Sequence, residues 1–213
     1  MKFGVSDKSR IVFASLFVGV LTMISAPGAV ARADDSAMSA VQSMVNQAVK
    51  ILADQATPQA TRASQLRDLI APSFDFAAMS RSALGYHWKS LNPAQRADFT
   101  QTFTGFIEAA YGSKIGDYHG QQVNFIKQTS LGNGYFQVFS QIVQPGGKAP
   151  VPVNYLVEQK DGQWKVYDVT VDDISIIANY RTQFNRVINE NGFDKLLADL
   201  KAKQQQLNQT KSG

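Results

Sequence analysis

The sequence predicts an α+β fold, in which an antiparallel meander sheet of four to five strands carries helices packed on one face. Three observations support this prediction. Apolar residues recur at intervals of three and four from residue 36 to residue 111, which is typical of helices. Four segments between residues 121 and 171 alternate in polarity and are separated by glycine-containing turns, which is typical of strands joined by hairpins. Helical spacing returns after residue 172.

The N-terminal 33 residues have the features of a signal peptide. Three basic side chains precede an uncharged, mostly apolar run at residues 11–24, which is shorter than the ~20 residues of a membrane-spanning helix. Ala31 and Ala33 stand at the two positions that a signal peptidase reads. We expect cleavage after Ala33 and export of the remainder, with an uncleaved membrane anchor as the alternative. Residues 34–206 should form one domain, and residues 207–213 a flexible tail.

Charge and cysteine content exclude several classes of function. Residues 34–213 carry 17 basic and 16 acidic side chains, so this part of the chain has no overall excess of the basic charge that nucleic-acid-binding proteins concentrate on one face. The chain contains no cysteine, which removes disulfides, thiolate catalysis and cysteine metal sites. We therefore predict no nucleic-acid partner, no metal and no cofactor.

Two helices are expected before residue 72. The first covers residues 36–53, where the apolar residues follow helical spacing. Thr57 and Pro58 resemble the N-cap and the first position of the second helix. Pro72 should end that helix, because proline cannot continue the backbone hydrogen-bond pattern.

Two further helices precede the strands. A short one covers residues 74–84 and ends near Gly85. Asn92 and Gln95, three residues apart around Pro93, predict a capping box at the start of the other. Its apolar stripe consists of Phe99, Phe103, Phe106, Ile107, Ala110 and Tyr111.

Four strands and three turns are expected in the middle of the chain. The strands lie at residues 121–129, 135–144, 151–159 and 163–171. The turns lie at Gly132-Asn133-Gly134, Pro145-Gly146-Gly147 and Asp161-Gly162. In the fourth strand, strict alternation puts Trp164 and Val166 on one face and Val169 and Val171 on the other.

Two helices complete the chain. Asp172 and Asp173 stand where the period changes from strand to helix, and we interpret them as the N-cap of a helix at residues 174–189. A carboxylate pair for acid–base chemistry or calcium is the alternative. Gly192 should end that helix, and the last helix covers residues 193–206.

The sequence contains no convincing catalytic constellation. His87 and His119 are the only histidines, and neither belongs to a spaced metal-ligand motif. Large apolar and aromatic residues are instead abundant on the elements that share one face of the sheet. Periodicity explains most of them as an ordinary packed core and does not distinguish a core from a cavity.

Two segments resemble a known family. They are LNPAQRADFTQTFTGFIEAAYGSKIGDY, at residues 91–118, and VYDVTVDDISIIANYRTQFNRVINENGFDKLLADL, at residues 166–200. The most characteristic features are Tyr167-Asp168 with Ser175 seven residues after the aspartate, and Asn179-Tyr180-Arg181 with Phe184. On these residues the chain resembles the MlaC family of toluene-tolerance proteins. Asp172-Asp173 departs from the glutamate-glycine usual in that family, so the turn could differ here.

The resemblance implies a periplasmic phospholipid shuttle rather than an enzyme. Its fold would enclose an apolar cavity between sheet and helices, with the headgroup at the mouth. Its partners would be phospholipid, an inner-membrane ABC transporter complex and an outer-membrane lipoprotein complex. The residues expected to bind lipid are Leu84, Phe99, Phe103, Phe106, Ile107, Tyr111, Phe139, Val153, Tyr155, Tyr167, Val169, Ile174, Ile177, Ala178 and Phe184.

Three alternatives to this interpretation remain open. One is a carrier of another lipid, such as a hopanoid, because a related branch is associated with hopanoid biosynthesis loci. Another is an enzyme that uses Asp168 or Asp172 beside Tyr167 and His119 as an acid–base set on a hydrophobic substrate. The last is a structural or adaptor protein with a solid core.

Overall fold

The fold is taken from a computed structural model, which describes residues 36–112, 118, 120–143, 146 and 149–209. The expected signal peptide, His119, most of the Pro145-Gly146-Gly147 turn and the last four residues lie outside the described residues. Within them, helices come first, strands follow and helices return. This order confirms the predicted α+β class.

Helices α1 and α2 form the start of the described chain. Helix α1 (Ala37–Ala53) is capped by Ser36, whose Oγ accepts a hydrogen bond from the Ser39 amide at 3.1 Å. Helix α2 covers Gln59–Ile70 and is followed by a 3₁₀ turn, Ala71–Ser73. The prediction that Thr57 caps α2 was wrong. Pro58 occupies that position, because the Thr57 amide and hydroxyl both donate to the Asp54 carboxylate instead.

Helices α3 and α4 follow, separated by a 3₁₀ segment at Gly85–Ser90. Helix α3 (Phe76–Leu84) begins two residues later than expected, because Asp75 caps it by accepting from the Ala78 amide at 2.8 Å. Helix α4 covers Pro93–Gly112. Its capping box is confirmed: the Asn92 amide donates to Gln95 Oε1 at 3.0 Å and the Gln95 amide to Asn92 Oδ1 at 2.9 Å.

Five antiparallel strands pair in chain order, which confirms the predicted meander. They are β1 (Gln122–Gly132), β2 (Tyr135–Val143), β3 (Val151–Lys160), β4 (Gln163–Val171) and β5 (Ile174–Ser175). Three of the turns are two-residue loops in which both residues have positive φ: Asn133-Gly134, Asp161-Gly162 and Asp172-Asp173. Such loops match the right-handed twist of the strands that they join.

The predicted N-cap at Asp172-Asp173 was therefore wrong. These residues form a hairpin turn with φ of 52° and 61°, and Ile174 pairs with Val171 in a strand instead of opening a helix. Ser175 is the actual N-cap, since its Oγ accepts from the Ala178 amide at 2.9 Å. Aspartate tolerates the left-handed region better than most residues, so the turn forms without glycine.

Helices α5 (Ile176–Asn191) and α6 (Phe193–Gln209) end the described chain. Gly192, with φ of 84°, separates them as expected. Helix α6 continues three residues past its expected end, because Leu207 still packs against buried side chains.

A β-bulge in β4 overrides the expected alternation. The pairing with β3 shifts between Leu156 and Val157, so Tyr167 is an extra residue on β4. Val166 and Val169 consequently face the same side, and both pack with residues of α1 and the neighbouring strands. The helix-facing surface of β4 therefore gains valines that strict alternation assigned to opposite faces.

Two clusters of buried side chains hold these layers together. The sheet core lies where α1 packs on the strands, and its buried members are Ala37, Val41, Met44, Val45, Val138, Val157 and Val166. The helical core lies among α3, α4, α5 and α6, and its buried members are Met79, Ala83, Leu84, Leu91, Phe99, Phe103, Phe106, Ala110, Ile177, Tyr180, Phe184, Val187, Leu196 and Leu200.

The Asp172-Asp173 turn yields a test of backbone strain. We expect Asp173→Gly to raise the free energy of unfolding by about 0.5–1 kcal/mol, because it removes a Cβ from a left-handed position. Urea denaturation measures the change. In the control Asp68→Gly, on the exposed side of α2, the same substitution should lower that free energy by about 0.5–1 kcal/mol. A loss at both positions would contradict the strain argument.

Candidate functional site

An apolar pocket of about 320 Å³ lies between the helices and the sheet. Helices α2, α3 and α4 form its outer walls, and the end of β4 with the start of α5 forms its floor. Its lining residues are Ala63, Leu66, Arg67, Ile70, Phe74, Phe76, Met79, Ile107, Glu108, Tyr111, Val169, Val171 and Ile176. We call this space the apolar pocket.

Local periodicity explains how the walls form. On β4, Val169 and Val171 are two residues apart and therefore point to the same face. On α4, Ile107 and Tyr111 are four residues apart and lie on one side of the helix. Phe103 lies one turn before Ile107 in the same row and is buried in the helical core, against which Ile107 and Tyr111 also pack. Helix α4 thus supplies residues both to the helical core and to the pocket lining.

The helical core next to the pocket is closely packed. The Phe103 ring lies 5.6 Å from Tyr180 and 5.4 Å from Phe184 between centroids, both edge to face. Phe99 meets Phe184 at 5.9 Å and Phe106 meets Tyr180 at 5.5 Å in the same geometry. Edge-to-face contacts at these distances are favourable for aromatic pairs. These side chains form the wall behind the pocket and do not line it.

Tyr111 lines the pocket, and its hydroxyl group shares a hydrogen bond with Tyr180 of the helical core. Burial raises the pKa of Tyr111 to about 12, and a hydrogen bond with the Tyr180 hydroxyl opposes part of that rise. Burial also raises the pKa of Tyr180. Both side chains therefore stay neutral at physiological pH, which suits an apolar surrounding.

Asp168 holds the junction between β5 and α5 in place. Its carboxylate accepts from Ser175 Oγ at 2.5 Å, from the Ile177 amide at 3.2 Å and from its own neighbour, the Val169 amide, at 2.8 Å. These three bonds use three of the roughly four acceptor positions of the carboxylate. The enzyme alternative also names Asp172, which is exposed in the turn, and His119, which lies outside the described residues. The hydrogen bonds of Asp168 give this residue a structural role.

The expected lipid-binding residues fall into five groups. Ile107, Tyr111 and Val169 line the apolar pocket. Six lie in the helical core: Leu84, Phe99, Phe103, Phe106, Ile177 and Phe184. Val153 and Tyr155 are on the helix-facing side of the sheet, with Tyr155 against the sheet core. Phe139 and Tyr167 are on the opposite face, where Tyr167 meets Tyr135 at 5.6 Å, and Ile174 and Ala178 are exposed.

The sequence analysis did not predict that residues of α2 and α3 line the pocket. Most of α2 is polar, and its buried residues are only Arg62 and Leu66, so its pattern resembles a surface helix. Leu66 and Ile70 recur at four-residue spacing on that helix, which was the available signal. It was weak because neither residue indicates which surface the helix covers.

A second pocket of about 310 Å³ lies on the same side of the sheet, between α1 and the strands β3 and β4. Val41, Met44 and Trp164 line it together with polar groups of Ser73 and Gln163. Phe74 packs against both the helical core and the sheet core and so lies between the two pockets. The mixed lining makes this second space a poorer site for hydrocarbon than the apolar pocket.

Neither a metal cluster nor a membrane span occurs in the described part of the chain. No group of three or more His, Asp or Glu side chains comes together among the described residues. No helix described there is long and apolar enough to cross a membrane.

Comparison with known proteins gives consistent matches. The family model described as MlaC protein matches residues 42–202. A Haemophilus influenzae protein named intermembrane phospholipid transport system binding protein MlaC is 26% identical over 138 residues, which is 63% of this chain and 64% of that protein. The toluene tolerance protein ttg2D of Pseudomonas putida is 26% identical over 130 residues, covering 61% of this chain and 60% of that protein. Less than two thirds of each relative is thus spanned.

A solved structure shares the fold. It is a phospholipid-binding protein from Ralstonia solanacearum in complex with a phospholipid, with a TM-score of 0.72 and 24% identity. The match covers 81% of this chain and 98% of that protein. The helices and meander described above therefore form an architecture already seen in a solved protein.

Tyr111, which lines the pocket, gives a pH test. In the folded protein the pKa of Tyr111 is about 12, above its ordinary value of 10.0. Neutral Tyr111 therefore contributes fully to the free energy of unfolding below pH 10, and this contribution is lost as the pH rises towards 12. The difference corresponds to about 3 kcal/mol. We expect Tyr111→Phe to reduce the fall in unfolding free energy between pH 10 and pH 12, as measured by urea denaturation. An identical fall in both proteins would contradict this expectation.

Proposed function

Because this chain belongs to the MlaC protein family, we propose that it is a periplasmic phospholipid-binding protein that holds acyl chains in the apolar pocket. The observation that supports this most directly is the pocket itself, whose lining is apolar except for Arg67 and Glu108 among the described residues. The name of the Haemophilus relative and the phospholipid complex of the Ralstonia protein support this cargo.

The binding free energy of such a site comes mainly from the apolar surface of the lipid that is removed from water. Each methylene group removed from water contributes about 0.8 kcal/mol, so hydrocarbon is held without specific hydrogen bonds. The pocket volume of about 320 Å³ lies at the lower end of the ~300–1,000 Å³ of small-molecule sites. We propose that the hydrocarbon contacts Ile107, Tyr111 and Val169, which the sequence indicated, together with the α2 and α3 residues that it did not.

Four of the other expected residues do not contact lipid in this proposal. Phe103 and Phe184 interlock in the helical core and would support the pocket wall without touching lipid. Phe139 lies on the opposite face of the sheet and receives Lys127 Nζ over its ring at 5.0 Å. Ala178 is exposed. In this proposal none of these four side chains contacts the acyl chains.

The proposal also includes where the protein acts and between which membranes it carries the lipid. We propose that residues 1–33 direct export and are removed after Ala33. The remaining chain would then move phospholipid between the outer membrane and an inner-membrane ABC transporter complex, with an outer-membrane lipoprotein complex as the second partner. No catalytic step belongs to this function. A hopanoid-type lipid in the same pocket and a non-binding adaptor are the alternatives that the experiment below separates.

The experiment is native mass spectrometry of the mature protein after gentle purification. We expect a co-purifying mass that lipid extraction identifies as phospholipid. A delipidated sample should regain that mass from phospholipid vesicles. A hopanoid as the bound species would change the cargo and leave the carrier function. A protein that purifies empty and takes no lipid from vesicles would overturn the proposal and favour the adaptor alternative.

Two replacements of alanine by phenylalanine, one inside the pocket and one outside it, test the position of the site. Ala63→Phe places a ring in the pocket from α2, whereas Ala178→Phe places the same ring on the exposed side of α5. If the ring displaces about two methylene groups of lipid, affinity falls by about 1.6 kcal/mol, or roughly tenfold. We expect this loss for Ala63→Phe alone in the vesicle uptake assay. Equal uptake by both variants would place the lipid elsewhere.

A further inference from the structure

Two opposite charges lie at the apolar pocket. Among its described lining residues, Arg67 and Glu108 are the only charged ones, and they stand on different walls, α2 and α4. Arg67 is exposed and Glu108 is half-buried. No ion pair within the described part of the chain involves either of them. Neither charge is therefore neutralised by an ion-pair partner among the described residues.

The side chains locate the rim of the pocket. Arginine and glutamate place their methylene groups along apolar surface and keep their charged ends in water. Since the pocket lining is otherwise apolar, the charged ends of Arg67 and Glu108 mark where this lining meets solvent. A lipid whose acyl chains fill the pocket must place its headgroup at the same boundary, because burying a charged group in an apolar site is costly.

The geometry points to a subsite for a zwitterionic headgroup that carries a primary ammonium, as in a phosphoethanolamine lipid. This inference rests on the proposed function. The Arg67 guanidinium pairs with the phosphate, for which its planar donor fork is suited. The Glu108 carboxylate accepts hydrogen bonds from the ammonium. One charge of each sign on the protein thus meets one of each sign on the lipid.

The pair discriminates against two other headgroups. A phosphoglycerol headgroup has the phosphate for Arg67 but no cation for Glu108, so the carboxylate faces a net negative lipid. A phosphocholine headgroup has a cation without N–H donors, and proteins recognise quaternary ammonium groups with aromatic cages. Here Glu108, the carboxylate among the described lining residues, faces the cation. A primary ammonium is the cation that a carboxylate binds by hydrogen bonds.

Competitive lipid uptake tests this subsite. Delipidated mature protein is incubated with vesicles containing equal amounts of phosphatidylethanolamine, phosphatidylglycerol and phosphatidylcholine with identical acyl chains, and native mass spectrometry measures the bound species. We expect phosphatidylethanolamine to be enriched roughly two- to fivefold over each competitor, the range of a solvent-accessible ion pair. Raising the salt concentration should reduce the enrichment.

Three variants and two charge-matched controls assign the effect to Arg67 and Glu108. Glu108→Gln should abolish the preference for phosphatidylethanolamine over phosphatidylglycerol, and Glu108→Asp should retain part of it. Arg67→Gln should lower uptake of all three phospholipids relative to diacylglycerol, which lacks the phosphate. Glu190→Gln and Arg186→Gln make the same charge changes on exposed positions of α5 and should leave wild-type ratios unchanged.

The possible outcomes separate this inference from the proposed function. Uptake of all three lipids in equal amounts, or a preference that Glu108→Gln leaves intact, overturns the subsite while the carrier function stands. Control variants that change the ratio as much as the rim variants also overturn it, because net charge would then explain the preference. A protein that takes up no lipid overturns both.

Discussion

The interlocked aromatic rings of α4 and α5 are the contact on which the pocket depends. Phe99, Phe103 and Phe106 meet Tyr180 and Phe184 edge to face, which holds the two helices at a defined separation. Ile107 and Tyr111, further along α4, pack against this core and also line the pocket. The solid core and the open pocket thus share helix α4, and the position of that helix sets one wall of the pocket.

A second constraint lies at the end of the sheet. The turn at Asp172-Asp173 reverses the chain, β5 pairs for two residues, and Ser175 then caps α5. Asp168 joins these parts by accepting from Ser175 Oγ and the Ile177 amide. This connection places Ile176 and the end of β4 together as the pocket floor. An aspartate that resembles a catalytic base in the sequence instead fixes the geometry of the pocket floor.

Local signals predicted much of the fold because they act over a few residues. The Asn92–Gln95 capping box and the glycine-containing two-residue hairpins depend on short-range hydrogen bonds and on backbone preference. The same local reasoning failed at Asp172-Asp173, where two aspartates suit both a helix cap and a left-handed turn. It also failed at β4, because a bulge depends on pairing with β3 and leaves no trace in the alternation of β4 itself.

By itself, the sequence determined the α+β class, the meander, the stripe of α4 and the family resemblance, since periodicity and motifs are properties of the chain. Only the tertiary structure decided which large side chains pack solidly and which leave a gap. Phe103 and Ile107 follow the same helical pattern, yet one lies in the helical core and the other lines the pocket. The reason is that a cavity depends on the distance between elements, and hydrophobic periodicity reports only the face on which a residue lies.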